Sequence, residues 1–155
     1  MTIDRAAASA AMAKARAAAG PLAEKVFQYT DLIESTVKAA KQPGFTEAGW
    51  AGLEALIATD RFERIGNFRE RMDWPQYRAM LTQWGTTTGF WSNFRRITEV
   101  GRLVFLELEE HNTPRDGEES VVNSLSLYEF DADGRLCHLD IYLQYLPPGM
   151  EPGRG

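Results

Sequence analysis

The sequence predicts an α+β fold, in which helices of the first half pack on one face of an antiparallel sheet formed by the second half. In the first half, apolar residues recur every three or four positions, as on one face of a helix. In the second half, four segments rich in Val, Ile, Phe, Tyr and Leu are separated by turn sequences. A length of 155 residues with 44% apolar residues is sufficient for one domain with an ordinary core.

The first two helices are predicted from composition and from periodicity. Residues 1–20 are rich in Ala, which has the highest helix propensity, and Gly20-Pro21 separates this segment from the next. A second helix is predicted from Pro21 to about Lys41, before the Pro43-Gly44 break. Its apolar face carries Leu22, Val26, Tyr29, Ile33 and Val37.

Two further helices and a short strand complete the first half. Thr46 can cap a third helix. Asp73 begins a fourth, because its side chain can accept a backbone hydrogen bond while Gln76 reaches back to the cap. Gly85 is predicted to end this fourth helix. Between the two helices, residues 61–68 are predicted to form a short irregular strand.

The second half is predicted to form a meander of four strands. They cover Trp91–Glu99, Arg102–Asn112, Glu119–Phe130 and Arg135–Tyr145. No pattern follows residue 146, so a single domain is expected over residues 21–146 and a disordered tail over residues 147–155.

Charge and motif content argue against several functions. A formal net charge of -5 is unfavourable for binding nucleic acid. No apolar run approaches the roughly 20 residues that span a bilayer, so we expect no membrane association and a cytoplasmic location. The two histidines, His111 and His138, lack metal-ligand spacing, and no Gly-rich phosphate loop follows a strand. We therefore expect neither a metal nor a cofactor.

The last strand divides into two faces because side chains alternate along a strand. One face carries Cys137, Leu139, Ile141 and Leu143. The other carries His138, Asp140, Tyr142 and Gln144. A carboxylate in the middle of so apolar a strand needs either a partner or a function. Asp140 is therefore the first candidate for chemistry.

A pairing of Phe130 with Arg135 would frame this polar face with leucines. It places Leu127 beside His138, Leu125 beside Asp140 and Asn123 beside Tyr142. The preceding strand is expected to add Leu106, Leu108 and Glu110 to the same face. Such a mixture predicts a pocket, in which desolvation raises the pKa of a carboxyl and prepares it for acid/base catalysis.

Simpler interpretations exist for the same residues. A polar sheet face is commonly solvated, and His138 can be a hydrogen-bonded structural residue. Asp140 can form an ion pair with an arginine such as Arg95. The charged segment over residues 61–71 can form surface ion pairs, each of small energetic value.

The chain resembles the nuclear transport factor 2 superfamily, and most closely its SnoaL-like branch. The resemblance covers Pro21 to Tyr145 and rests on two features: the helix start Asp73-Trp74-Pro75-Gln76-Tyr77, and the last two strands around the turn Asp131-Ala132-Asp133-Gly134. It implies a cone-shaped fold, in which a curved sheet wraps helices around a deep apolar pocket. Enzymes of this kind include ketosteroid isomerases, scytalone dehydratases, polyketide cyclases and limonene epoxide hydrolases, which use pocket carboxylates, Tyr or His without a cofactor.

The resemblance transfers to individual residues only in part. Asp140 corresponds to an essential Asp of the epoxide hydrolases, and Glu110 lies near their second acid. Leu108 stands where their bridging Arg would be, which argues against epoxide hydrolysis. The histidine pair of the scytalone dehydratases has no counterpart here.

In length and layout the chain is similar to sphingomonad lyases that remove formaldehyde from lignin-derived diarylpropanes. This resemblance implies a cofactor-independent acid/base lyase acting on a hydrophobic aromatic alcohol. Asp140 and His138 would be the acid/base pair, Tyr142 a hydrogen-bond donor, and Glu110 or Glu63 a second carboxylate. The substrate would contact Tyr29, Trp50, Phe62, Trp84, Trp91, Asn123 and Leu125.

Other functions remain open at this point. They are a SnoaL-like polyketide cyclase, a steroid-type isomerase, an epoxide hydrolase, and a noncatalytic binding or oligomerisation module. We also expect a homodimer or homotrimer, because the stripe of Leu139, Ile141 and Leu143 would need to be covered if it lay on the outer face of the sheet.

Overall fold

Helices precede a long-stranded sheet, as the sequence predicts, in a computed structural model that describes residues 3–147, 149–151 and 153. The helices are α1 (Arg5–Ala17), α2 (Pro21–Ala39), α3 (Ala51–Glu54), which continues a 3₁₀ turn over Glu47–Trp50, and α4 (Trp74–Thr87). The strands are β1 (Glu63–Ile65), β2 (Arg71–Met72), β3 (Thr88–Val100), β4 (Leu103–Pro114), β5 (Ser120–Phe130) and β6 (Leu136–Gln144). Within these described residues, no helix is long and apolar enough to cross a membrane.

The α2 helix follows its prediction closely and is capped by a strand rather than by its own sequence. Gly20 precedes it without a side-chain cap. Instead, the backbone N–H groups of Leu22 and Ala23 donate to the Glu99 carboxylate of β3, at 2.7 and 2.8 Å. A carboxylate at a helix N-terminus satisfies unpaired donors and interacts favourably with the helix dipole. This contact holds α2 against the sheet.

The predicted cap of α4 is confirmed, but its predicted end is wrong. The Asp73 carboxylate accepts from the Gln76 N–H at 2.9 Å, and the Gln76 side chain accepts from the Asp73 N–H at 3.0 Å. Gly85 does not end the helix, which continues to Thr87. Thr88 is extended and starts β3 directly, so no left-handed residue is needed at the junction.

The first and third predicted helices are shorter than expected. The α1 helix begins after Asp4, whose side chain accepts from the Ala7 N–H at 2.9 Å. The third segment forms one 3₁₀ turn and one α turn, and the Thr46 side chain makes no cap hydrogen bond. The division into residues 1–20, 21–146 and 147–155 stays a prediction. The predicted disorder at residues 148, 152, 154 and 155 lies outside the described residues.

The sheet has the order β2-β1-β6-β5-β4-β3. The predicted antiparallel meander of β3 to β6 is confirmed. The sheet as a whole is mixed rather than purely antiparallel, because β1 pairs in parallel with β6 and β2 pairs with β1. The predicted short strand corresponds to β1, which lies between β2 at the edge of the sheet and β6, the last strand of the chain.

The predicted pairing of β5 with β6 is displaced by two residues. Asp140 lies opposite Leu127, and Tyr142 lies opposite Leu125. The turn pairs Phe130 with Leu136 rather than with Arg135, and the register then shifts at a β-bulge. Because the displacement is even, each side chain stays on the face that alternation assigned to it.

One face of the sheet is covered by α2 and α4 and forms the core. From β6 it contributes Leu139, which is fully buried, and from β4 it contributes Val104 and Leu106. The stripe that also includes Ile141 and Leu143 therefore points toward the helices. The opposite, outer face carries the polar residues of β6. Since the apolar stripe is not on the outer face, it gives no support to the expected oligomer, which stays a prediction.

Candidate functional site

A cavity of about 370 Å³ lies between the two long helices α2 and α4 and the covered face of the sheet. Its walls are mainly apolar and aromatic: Ile33, Met80, Leu81, Trp84, Phe90, Leu108, Val122, Ile141 and Leu143. A cavity of this size and lining is typical of a site for a small organic molecule. We refer to it as the pocket.

Glu110 is the carboxylate on the sheet floor of the pocket. It lies on β4 between Ser92 of β3 and Val122 of β5. Burial raises the pKa of Glu110 above its ordinary value, although the positive charge of Arg64 acts in the opposite direction. A carboxyl with a raised pKa can hold and release a proton nearer neutral pH, which is the property of a general acid or base.

Arg64 brings a positive charge into the pocket from β1. The parallel pairing of β1 with β6 places it beside Leu139. Its side chain is 13% exposed, and its guanidinium carbon lies 5.1 Å from the centre of the Tyr77 ring. Its Nη1 atom is 3.6 Å from a Glu70 oxygen. In the described part of the chain, no acceptor forms a hydrogen bond with the buried Nε atom.

Three tyrosines form the wall next to Arg64. The hydroxyls of Tyr29 on α2 and Tyr77 on α4 share a hydrogen bond. Tyr128 of β5 packs edge-on against Tyr29, with ring centres 5.3 Å apart. Burial raises the pKa of all three phenols. They therefore stay protonated and can donate hydrogen bonds to a ligand oxygen.

A second acid lies at the edge of the pocket nearest β3. The Ser92 hydroxyl donates to Glu34 of α2 at 2.9 Å. Ser92 is also the neighbour of Glu110 across the strands. The polar groups of the pocket thus approach from α2, α4 and the four strands β1, β3, β4 and β5. Among the described residues, no group of three His, Cys, Asp or Glu side chains is arranged to hold a metal ion.

Three of the predicted site residues line the pocket: Glu110, Tyr29 and Trp84. Two others, Trp50 and Phe62, belong to the core and do not line it. Trp50 is fully buried and donates its indole N–H to the Thr82 hydroxyl at 3.0 Å. Phe62 stacks on Tyr77, with ring centres 5.8 Å apart, and so supports the pocket wall from behind.

The predicted acid/base pair lies on the outer face of the sheet. The structure does bring Asp140, His138 and Glu63 together: His138 Nε2 is 3.0 Å from Asp140, and His138 Nδ1 is 3.5 Å from Glu63. The prediction that Asp140 shares a face with Glu110 is wrong, because Ile141 and its apolar neighbours occupy the pocket side of β6. Tyr142, on the same outer face, is 57% exposed.

The other predicted substrate contacts also lie on the outer face. Trp91 stacks on His111 with ring centres 3.7 Å apart, and Leu125 is exposed. Asn123 accepts a hydrogen bond from Arg95 at 2.9 Å. Arg95 is thus directed to Asn123 rather than to Asp140, and the ion pair considered for Asp140 is replaced by its bond to His138.

The main residues that the sequence interpretation missed are Arg64, Tyr77 and Tyr128. Tyr77 lies on the apolar stripe of α4, and Tyr128 lies on the same face of β5 as the buried Ser126. Both could have been found from periodicity once the covered face was known. Arg64 gives no local signal, since its place in the pocket depends on the parallel pairing of β1 with a strand more than 70 residues away.

The fold resembles solved structures at low sequence identity. An NTF2-like protein of unknown function from Exiguobacterium sp. 255-15 matches with a TM-score of 0.60 and 14% identity, over 77% of this chain and 98% of that one. A candidate SnoaL-like polyketide cyclase from Jannaschia sp. CCS1 matches with a TM-score of 0.56 and 14% identity, over 81% and 89%. An LEH-like epoxide hydrolase from M. tuberculosis matches with a TM-score of 0.54 and 16% identity, over 74% and 84%.

These likenesses establish the fold. The predicted α+β fold of the nuclear transport factor 2 type, with helices inside a curved sheet, is confirmed. No family model matches the chain, and no curated protein sequence matches it.

Proposed function

We propose that this protein is an acid/base enzyme that uses its own side chains to transform a hydrophobic aromatic small molecule. The observation that carries the proposal is the presence of Glu110, with its raised pKa, in one apolar pocket with protonated tyrosines and the Arg64 cation. The solved structures with the same fold include a candidate cyclase and an epoxide hydrolase. They support the idea that this fold can hold such a site.

Each group has a defined role in the proposal. Glu110 removes a proton from the substrate and can return it later in the reaction, because burial places its pKa closer to neutral pH. The Tyr29 and Tyr77 pair donates a hydrogen bond to an oxygen that gains negative charge. Trp84 and Phe90, whose ring centres are 5.1 Å apart, provide an aromatic wall against which a planar ring can pack.

The specific reaction that we propose is the release of formaldehyde from a lignin-derived diarylpropane diol. Glu110 takes the proton of the terminal hydroxyl, whose oxygen becomes the carbonyl of formaldehyde as the carbon–carbon bond breaks. The electron pair of that bond forms the alkene, and the second hydroxyl leaves. The leaving hydroxyl receives a proton from the Glu110 carboxyl, so that the products are a stilbene, formaldehyde and water.

A steroid-type isomerase or a polyketide cyclase is the second candidate. The observation in its favour is the shared hydrogen bond of Tyr29 and Tyr77. A protonated phenol pair is suited to an enolate oxygen, which both reactions form after proton removal next to a carbonyl. Epoxide hydrolysis has less support, because Asp140 and Glu110 lie on opposite faces of the sheet.

The test compares two matched carboxylate variants on a substrate panel. Purified protein is assayed with diaryl diols, steroid enones and epoxides, and products are identified by mass spectrometry. Glu110→Gln should lower turnover by about 10²- to 10⁴-fold, since it removes the proton acceptor. Asp140→Asn, on the outer face, should leave turnover near the wild-type value.

The opposite result would contradict the assignment of the pocket. If Asp140→Asn abolished turnover and Glu110→Gln did not, the outer-face cluster would be the site. Formaldehyde together with an alkene product would identify the lyase reaction, whereas an isomerised enone would identify the second candidate. Binding of these compounds without conversion of any of them would favour a polyketide-type cyclase or a binding module over the lyase.

A further inference from the structure

We propose that Arg64 binds a carboxylate on one aromatic end of the substrate, so that the pocket prefers diaryl compounds that carry an acid group over the same compounds without one. The inference deepens the proposed function and rests on it, because it takes the pocket as the substrate site. It names a chemical class that neither the resemblance nor the fold supplies. Three observations support it: the burial of the guanidinium, the weakness of its partners within the protein, and the shape of the surrounding wall.

The first observation is a buried cation with an unused donor. The Arg64 side chain is 13% exposed, and its Nε atom is inaccessible to solvent and makes no hydrogen bond with any described residue. An unpaired buried donor is unfavourable, and more so when the group is charged. The Arg64 side chain lines the pocket. A ligand oxygen that reaches the exposed part of its guanidinium would give this cation an acceptor.

The second observation is that neighbouring acids neutralise this charge only in part. Glu70 approaches Nη1 to 3.6 Å, which is too long for a hydrogen bond, and its side chain is 40% exposed. Its other oxygen accepts from the Phe68 N–H at 2.9 Å. Among the described residues, no carboxylate forms a hydrogen bond with the Arg64 guanidinium, so this cation has no close anionic partner of its own.

The third observation is the shape of the wall around the guanidinium. The guanidinium carbon lies 5.1 Å from the centre of the Tyr77 ring, a distance typical of a cation–π contact. A carboxylate matches two donors along the edge of a planar guanidinium, which is why arginine is preferred for planar bidentate recognition. Strands β6 and β5 separate β1 from the β4 strand of Glu110. A ligand anchored at Arg64 would thus extend over the apolar floor toward Glu110.

The experiment measures binding rather than turnover. The probes are trans-stilbene-4-carboxylate and its neutral carboxamide, titrated into the full-length protein by isothermal titration calorimetry. The two probes share one aromatic body, so any preference reports on the charged end. A charge-assisted hydrogen bond of ordinary strength predicts that wild type binds the carboxylate about 10- to 100-fold more tightly than the amide.

Variants assign the preference to one side chain. Arg64→Gln should bind both probes equally, and Arg64→Lys should keep part of the preference because it keeps the charge. Arg71→Gln is the matched control, since this neighbouring arginine on β2 has a 75% exposed side chain and pairs with Glu63 outside the pocket. Far-UV circular dichroism checks that each variant is folded. If Arg64→Gln does not fold, the role of Arg64 is tested by two other results. These are the relative affinity of wild type for the two probes and the reduced preference of Arg64→Lys.

The outcomes separate this inference from the proposed function. Equal affinity of wild type for both probes, or no binding of the carboxylate, would overturn the role of Arg64, whatever the activity of the enzyme. A preference that survives in Arg64→Gln would overturn it as well. If the preference depends on Arg64 but Glu110→Gln retains full turnover, the carboxylate site stands and the catalytic proposal fails.

Discussion

Replacing Glu110 with Gln should change how the stability of the protein depends on pH, and this prediction requires no substrate. In the folded protein, burial raises the pKa of Glu110. In the unfolded chain, water restores a value of about 4.3. Between these two pKa values the folded protein holds a proton that the unfolded chain has released. The free energy of unfolding of wild type therefore falls as the pH rises through this window.

The size of the effect follows from a single proton. A difference of one bound proton changes the free energy of unfolding by about 1.4 kcal/mol per pH unit. Gln does not titrate, so the stability of the variant relative to wild type should rise across the window, with this slope as its upper limit. The difference should level off below the unfolded pKa of about 4.3 and again above the folded pKa of Glu110.

The measurement is a series of urea unfolding curves for both proteins between about pH 4 and about pH 9, followed by circular dichroism. His111 also has a raised pKa, since bonds with Glu119 and Glu109 outweigh the opposing effect of burial. It is present in both proteins, so its titration cancels in the difference. Asp140→Asn provides a control on the outer face. If the free energy of unfolding of wild type and of Glu110→Gln changed in parallel with pH, the reasoning that burial raises the pKa of Glu110 would be refuted.

Two further predictions concern stability. Asp73→Ala should lower the free energy of unfolding by about 1 kcal/mol, because it removes the accepting half of the α4 capping box; an unchanged urea midpoint would mean that the cap is dispensable. Glu109→Gln should lower the free energy of unfolding by about 1.5–3 kcal/mol, because the hydrogen bonds to a buried carboxylate are replaced by weaker bonds to a neutral amide. The Glu109 carboxylate accepts from Asn93 at 3.1 Å and from the Ile3 N–H at 3.1 Å, and it bonds to His111 at 3.0 Å. A loss below about 0.5 kcal/mol, the range of an ordinary surface substitution, would show that these contacts contribute little.

Much of the fold could be predicted from local sequence because local physics decides it. The capping box of Asp73 and Gln76 depends on residues three positions apart, and it forms as predicted. The strands β3 to β6 are joined by short turns, so consecutive strands pair as neighbours. The prediction failed where the partner is distant in sequence. The parallel contact of β1 with β6 has no local signal, and it makes the sheet mixed.

The candidate site was predicted less well, for a reason that Asp140 and Glu110 illustrate. Alternation correctly separated the apolar and polar faces of β6, but it does not tell which face the helices cover. Asp140 favours a pocket on the polar face, because a carboxylate in so apolar a strand needs a partner or a function. In the structure, α2 and α4 cover the apolar face. Asp140 lies on the outer face, where one of its carboxylate oxygens bonds to His138.

The sequence by itself thus determined the element order and the meander, since these depend on composition, periodicity and short turns. Only the tertiary structure decided which sheet face is enclosed and which charge stands beside the tyrosines. Burial of apolar surface favours placing Leu139 and Ile141 against the helices. The same packing joins β1 to β6 and so carries Arg64 into the pocket, across more than 70 residues of chain.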